Sequence, residues 1–136
     1  MTPAIEPLMV LNIQTRLVRS VPGTPLGERT VFDVTGGSFH GPALSGQVLA
    51  SGGDWLIRTP AGSQLDVRLL LETGDGTTLL FRYGGRASQR SGQPRIEVAG
   101  NFEAPDGPYA WLNQVQAFGL AELVPDGVRY QLFRFS

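Results

Sequence analysis

Polar and apolar residues alternate with a period of two along several runs of this chain, and bend-forming residues interrupt those runs at close intervals. In Leu65-Asp66-Val67-Arg68-Leu69 every second residue is apolar, the pattern of a strand with one buried face. Turn signals stand at Val21-Pro22-Gly23, Pro60-Ala61-Gly62, Gly74-Asp75-Gly76, Ser91-Gly92-Gln93-Pro94, Pro105-Asp106-Gly107-Pro108 and Pro125-Asp126-Gly127. The pattern predicts strands near 8–18, 29–35, 38–49, 54–59, 63–73, 77–84, 94–103, 109–119 and 127–135. Gly and Pro break nearly every stretch long enough for a helix, which leaves room only for a short helical turn within 20–28. So many strands in one small domain must close on themselves or pack as two sheets. The density of glycine bends favours a single antiparallel β-barrel over 1–136, and closure also removes exposed sheet edges. Segments 1–6, 21–28 and 87–93 are expected to be loops or flexible ends.

Composition narrows the chemistry more than it suggests any. The chain has 136 residues, 41% of them hydrophobic, enough for one core without a metal or disulfide staple. Eleven basic and twelve acidic residues leave a net charge of -1, so no general attraction to nucleic acid or an anionic membrane is expected. No apolar run is long enough to span a bilayer as a helix. Pro3, Glu6 and Pro7 interrupt what would be the apolar stretch of a signal peptide, and a cytoplasmic location is the expectation. There is no cysteine, so thiol nucleophiles, thiolate zinc and iron–sulfur clusters drop out. Every basic residue is arginine, which removes Schiff-base chemistry and the P-loop lysine. A single histidine cannot build a three-histidine metal centre, and neither a metal nor an organic cofactor is expected.

The densest cluster of unusual residues runs from Gly36 to Trp55, where six glycines accompany His40, Asp54 and Trp55. Such bends often sit at a sheet rim and re-aim side chains toward a ligand. The order of motifs along the chain resembles the small bacterial proteins grouped as DUF3237, also called UPF0311. The carriers are Gly36-Gly37-Ser38-Phe39-His40-Gly41-Pro42, Leu44-Ser45-Gly46, Gly52-Gly53-Asp54-Trp55, Leu65-Asp66-Val67-Arg68 and Thr73-Gly74-Asp75-Gly76. Arg82-Tyr83-Gly84-Gly85, Asn101-Phe102-Glu103 and Tyr109-Ala110-Trp111-Leu112-Asn113 complete the series. The resemblance implies a calycin-like antiparallel barrel, often self-associated, so a homo-oligomer is expected with a dimer favoured; it implies no general activity.

Among individual residues, Asp54 stands beside Trp55, where partial desolvation would raise its pKa and fit it for acid–base work. The competing reading is an Asx-turn that shapes the corner. His40 is the one side chain whose ordinary pKa lies near neutrality, a candidate proton carrier. A surface position is favoured for it, because the neighbouring Phe39 prefers burial. Asp66 and Arg68 share one strand face, and the Gly74-Asp75-Gly76 hairpin brings Arg82 alongside. Facing inward, Arg68 would anchor a carboxylate, phenolate or enolate; facing outward, the group is a solvated charge cluster. Trp55, Tyr83, Tyr109, Trp111 and Asn113 supply rings and one amide for a ligand wall, although large rings as readily fill a core. These residues suit a barrel that binds a small apolar or aromatic metabolite. They also suit a cofactor-independent isomerase, cyclase, lyase or hydratase with Asp54, His40 and Arg68 as catalytic residues. The alternatives are a ligand carrier without turnover and a self-assembling barrel.

Overall fold

The computed structural model describes Met1–Ser136, all of it built around one antiparallel sheet. Its nine strands are β1 (Ile5–Thr24), β2 (Gly27–His40), β3 (Ser45–Val48), β4 (Gly53–Thr59), β5 (Gly62–Thr73), β6 (Thr78–Arg90), β7 (Gln93–Glu103), β8 (Ala117–Val124) and β9 (Gly127–Phe135). Apart from β3 and β4, consecutive strands pair up to β9, which returns to β1 and closes the ring. β3 and β4 occupy successive lengths of the same position between β2 and β5. The barrel therefore has one stave fewer than it has strands. A cylinder of that girth is just wide enough for its own side chains to fill or to hold one small ligand.

The alternation visible along the chain decides what lies within. Leu65, Val67, Leu69 and Leu71 of β5 face inward and are buried, as are Leu79, Phe81 and Tyr83 of β6 and Ile96 and Val98 of β7. Phe81 stacks on Phe102 with centroids 4.3 Å apart, and Tyr83 meets Tyr130 edge to face at 5.1 Å. The two ends differ. At one end a 3₁₀ helix, Ala110–Gln114, sends the fully buried Leu112 into the core, and Leu44 and Val115 pack there too. The other end is rimmed by the hairpins that join β1 to β2, β4 to β5, β6 to β7 and β8 to β9.

Several expected elements are redrawn. The strand expected over 109–119 is instead the 3₁₀ helix followed by β8 at Ala117–Val124. The Asn113 amide accounts for this: its oxygen accepts from Ala104 N–H at 2.7 Å and its nitrogen donates to Ala104 O at 2.9 Å, pinning the segment against the end of β7. The expected strands 29–35 and 38–49 become one strand, β2, with a register shift opposite Gln14/Thr15, followed by a short separate β3. The expected helical turn in 20–28 is a hairpin, held where Thr24 Oγ1 donates to Gly27 O and accepts from Leu26 N–H. The 87–93 loop is also a hairpin. It turns through Ser91 and Gly92, whose positive φ values of 51° and 77° suit a two-residue connection. No helix is long and apolar enough to cross a membrane.

Candidate functional site

Cross-strand partners project from the same face of a sheet, so the register traces rows around the barrel wall. One inner row runs Leu17, Phe32, Asp54, Val67, Tyr83, Gly100. It places a carboxylate among apolar side chains, and Asp54 is 9% exposed. Its Oδ1 accepts the Asp66 backbone N–H at 3.1 Å, which fixes the side chain inward from β4. Burial pushes its pKa from 3.8 up to about 6, and the nearby Asp66 charge adds to the rise while the Asp66 N–H opposes it. Near Asp54 within the interior are Tyr83, two strands along the same row, and Tyr130, both of whose phenols are pushed upward, first by burial and in part by the Asp54 charge. Their hydroxyls are close enough to affect each other's ionisation but miss hydrogen-bond geometry, so Tyr83 Oη is buried without a partner. An unpaired buried phenol costs about 1–3 kcal/mol in desolvation.

The inner face opens toward the four-hairpin rim. Along β1, Leu11 and Ile13 are buried, whereas Leu17, on the same inner face, is 57% exposed. Along β8, Ala117 is buried, Ala121 is half-buried and Leu123 is 72% exposed, and Leu123 shares an inner row with Val128 and Ile13. The inner face at the rim thus mixes apolar side chains, Leu17, Ala121 and Leu123, with polar ones, Thr30, Ser63 and the Glu28–Arg58 ion pair.

Most other candidate residues stand elsewhere. Asp66, Arg68 and Arg82 are exposed on the outer face, because Leu65, Val67, Leu69, Phe81 and Tyr83 take the inner positions of β5 and β6. The expected inward anchor formed by Arg68 is therefore corrected: Asp54 and Arg68 lie on opposite sides of one wall. Trp55, next to Asp54, alternates outward and is 58% exposed, so it forms no wall beside that carboxylate. His40 is exposed at the end of β2, paired with Val10 and Ser45, and does not approach Asp54. Tyr109, Trp111 and Asn113 share no strand face, since the 3₁₀ helix replaces the strand that would have aligned them. Trp111 instead lies under the Arg134 guanidinium, 5.0 Å from its ring centre, and Asn113 serves the backbone of Ala104. Only Asp54 and Tyr83 of the expected residues share the interior. Tyr130, Phe32 and Leu17 were not singled out from the chain, although the alternating Tyr130-Gln131-Leu132 does mark Tyr130 as inward.

The wall carries two further hollows. One of about 760 Å³ lies by the β4–β5 hairpin and takes in both outward residues of β5–β7, among them Gln64, Arg86 and Glu97, and the inward Leu65, Ala87 and Val98. Another of about 480 Å³ is bounded by Gly52, Gly53, Trp55, Asp66 and Arg68. No three His, Asp or Glu side chains converge as metal ligands.

Comparison with known proteins places this architecture. A UPF0311 protein of Rhodopseudomonas palustris is 30% identical over 145 residues, spanning 94% of this chain and 95% of its own. The crystal structure of that conserved protein of unknown function superposes with a TM-score of 0.91 over 100% of this chain and 99% of its own, at 22% identity. A beta-barrel like protein from Acinetobacter baumannii superposes with a TM-score of 0.89 at 25% identity, covering 100% and 99% of the two chains. An enzyme from Penicillium herquei shares the fold with a TM-score of 0.78 at 22% identity, over 100% and 96%. The profile of DUF3237, described as a protein of unknown function, matches residues 3–135, and the chain belongs to that family.

Proposed function

We propose that the barrel admits a small apolar or aromatic molecule through the four-hairpin rim and that Asp54 moves a proton on it. The observation that carries this reading is the placement of Asp54, the one buried carboxyl, on the inner row beneath the exposed Leu17 and beside Tyr83. A carboxyl with a pKa of about 6 is present in both protonation states near neutrality, so it can remove a proton and return it at another atom. Tyr83 and Tyr130, kept neutral by burial, are donors suited to an oxygen that gains negative charge. The reaction classes that need only these groups are isomerisation, cyclisation, and addition or elimination of water. The Penicillium herquei enzyme adds that a protein of the same fold carries catalysis. Arg68 and His40 take no part, since both stand outside.

Deuterium exchange tests this without knowledge of the natural substrate. In D₂O, 2-tetralone, an apolar ring ketone with acidic C–H bonds, should exchange those hydrogens faster with the wild-type protein than with Asp54→Asn, while both bind it. Equal exchange with the two proteins would overturn the assignment of Asp54. Saturable binding with no exchange above buffer would leave a carrier in place of an enzyme.

A further inference from the structure

The outer side of the same wall holds a second site. Gly53, Arg68, Arg82 and Asn101 form one outer cross-strand row, and Trp55 follows Gly53 by two residues on that face. Arg68 and Arg82 are direct partners across β5 and β6, an arrangement that repels unless a negative charge lies between. Neither is ion-paired: the five ion pairs of the protein use Arg16, Arg58, Arg90, Arg95 and Arg134, and Asp66, two residues from Arg68 on the same face, is in none of them. Asp33, the nearest acid along the row, is held by Arg16 at 2.7 Å.

Beside the arginines the wall is recessed. Gly52 and Gly53 contribute only backbone to the hollow of about 480 Å³, and Gly52 has a positive φ of 71° that a side chain would strain. A methyl at Gly52 would also run into the Arg68 carbonyl, so this tight approach of loop and strand requires glycine. The exposed Trp55 indole stands at the edge of the recess, and its strand is tied down where Arg29 Nη1 donates to Trp55 O at 2.8 Å. The recess falls within the range of about 300–1,000 Å³ usual for small-molecule sites.

We propose that this outer recess binds a planar aromatic carboxylate, with its ring against Trp55 over the glycine floor and its charge shared by Arg68 and Arg82. Guanidinium groups match a carboxylate in plane and hydrogen-bond geometry. The indole favours a flat ring over a bare ion. Asp66, which also borders the recess, repels a dianion more than a monoanion and so selects a carboxylate over a phosphate. The site is independent of proton transfer at Asp54, which lies on the far side of the wall.

Titration of ¹⁵N-labelled full-length protein with 2-naphthoate tests the proposal, read at the Trp55 indole N–H and the Gly52 and Gly53 amides. Saturable shifts confined to these groups are expected. The double variant Arg68→Gln/Arg82→Gln should weaken binding by about tenfold or more, as loss of charge-assisted hydrogen bonds implies. Trp55→Ala should weaken 2-naphthoate but leave the weaker response to acetate unchanged. Asp54→Asn should leave the titration as it was, which separates this site from the interior. An unchanged Kd in the double variant, inorganic phosphate binding as tightly as 2-naphthoate, or shifts confined to inner residues such as Tyr130 would each overturn it. All three outer side chains are exposed, so their substitution should not disturb folding.

Discussion

Replacing Asp54 by Asn should make the stability of the protein less sensitive to pH. The folded state binds the Asp54 proton more tightly than the unfolded chain does, because burial raises its pKa from 3.8 to about 6. Stability from this group is therefore greatest below 3.8, falls as pH rises between the two values, and carries its full penalty above 6. The displacement corresponds to about 3 kcal/mol at alkaline pH, of which about 1.4 kcal/mol is regained between pH 8 and pH 5. Asn retains an oxygen to accept the Asp66 N–H but has no charge to desolvate. Its NH₂ group needs acceptors in the interior, so the absolute stability of the variant reports two effects, whereas its pH slope reports one. Asp75 and Glu97 have lowered pKa values, Asp75 first through the Thr73 hydroxyl and Glu97 first through Arg95, and both cost stability only in more acidic solution. Urea denaturation at pH 5, 6, 7 and 8 is the assay, and the difference between the two profiles isolates Asp54. Wild type should gain about 1.4 kcal/mol relative to the variant on going from pH 8 to pH 5. Parallel profiles would show that Asp54 is solvated, and the argument for a proton-handling carboxyl would fall with them.

Four other substitutions probe the site and its frame. Leu112→Ala empties the side chain that fills the closed end of the barrel, and should cost about 2–5 kcal/mol by urea denaturation. Gly127→Ala places a methyl against the Ile13 carbonyl at the seam between β9 and β1, and should sharply reduce the folded fraction seen by circular dichroism; Gly74→Ala, with open space around it, should not. Tyr83→Phe removes a buried hydroxyl that has no partner, so the urea midpoint should stay level or rise by the equivalent of about 1 kcal/mol, while any exchange activity on 2-tetralone drops.

The barrel was legible because stretches of its strands alternate, as in Leu65 to Leu69, and because most turns carry Gly or Pro. The segment 109–119 was not, since its strand-like composition is overridden by Asn113 binding Ala104 across a gap in sequence that local pattern does not reveal. The candidate site was legible in part. Asp54 stood out by its glycine neighbours, but its bond to the Asp66 backbone and its tyrosine companion at position 130 depend on register between distant strands. The aromatic rings at 55 and 111 have the right chemistry for a ligand wall, yet nothing local shows that one stands outside the barrel and the other lies on a helical turn under Arg134.

The division of labour across the β4–β5 wall follows from girth. A barrel this narrow has room for one layer of side chains from each direction, and Leu69, Leu71, Leu79 and Phe81 of β5 and β6 already fill it from the Asp54 row to the closed end. A guanidinium pair placed within would have to be desolvated without a matching pair of carboxylates, at a cost of several kcal/mol per ion. A lone carboxyl escapes that cost by taking up a proton, which is why Asp54 can sit inside with a raised pKa while Arg68 and Arg82, which cannot discharge, stand in water. The two faces thus suit opposite chemistry: the inner one can exchange a proton with a neutral molecule, and the outer one can hold an anion but has no buried acid with which to transform it. If the outer recess binds a carboxylate, a substrate of the interior should be uncharged, and a neutral ketone and an aromatic acid should bind to the same protein without competing.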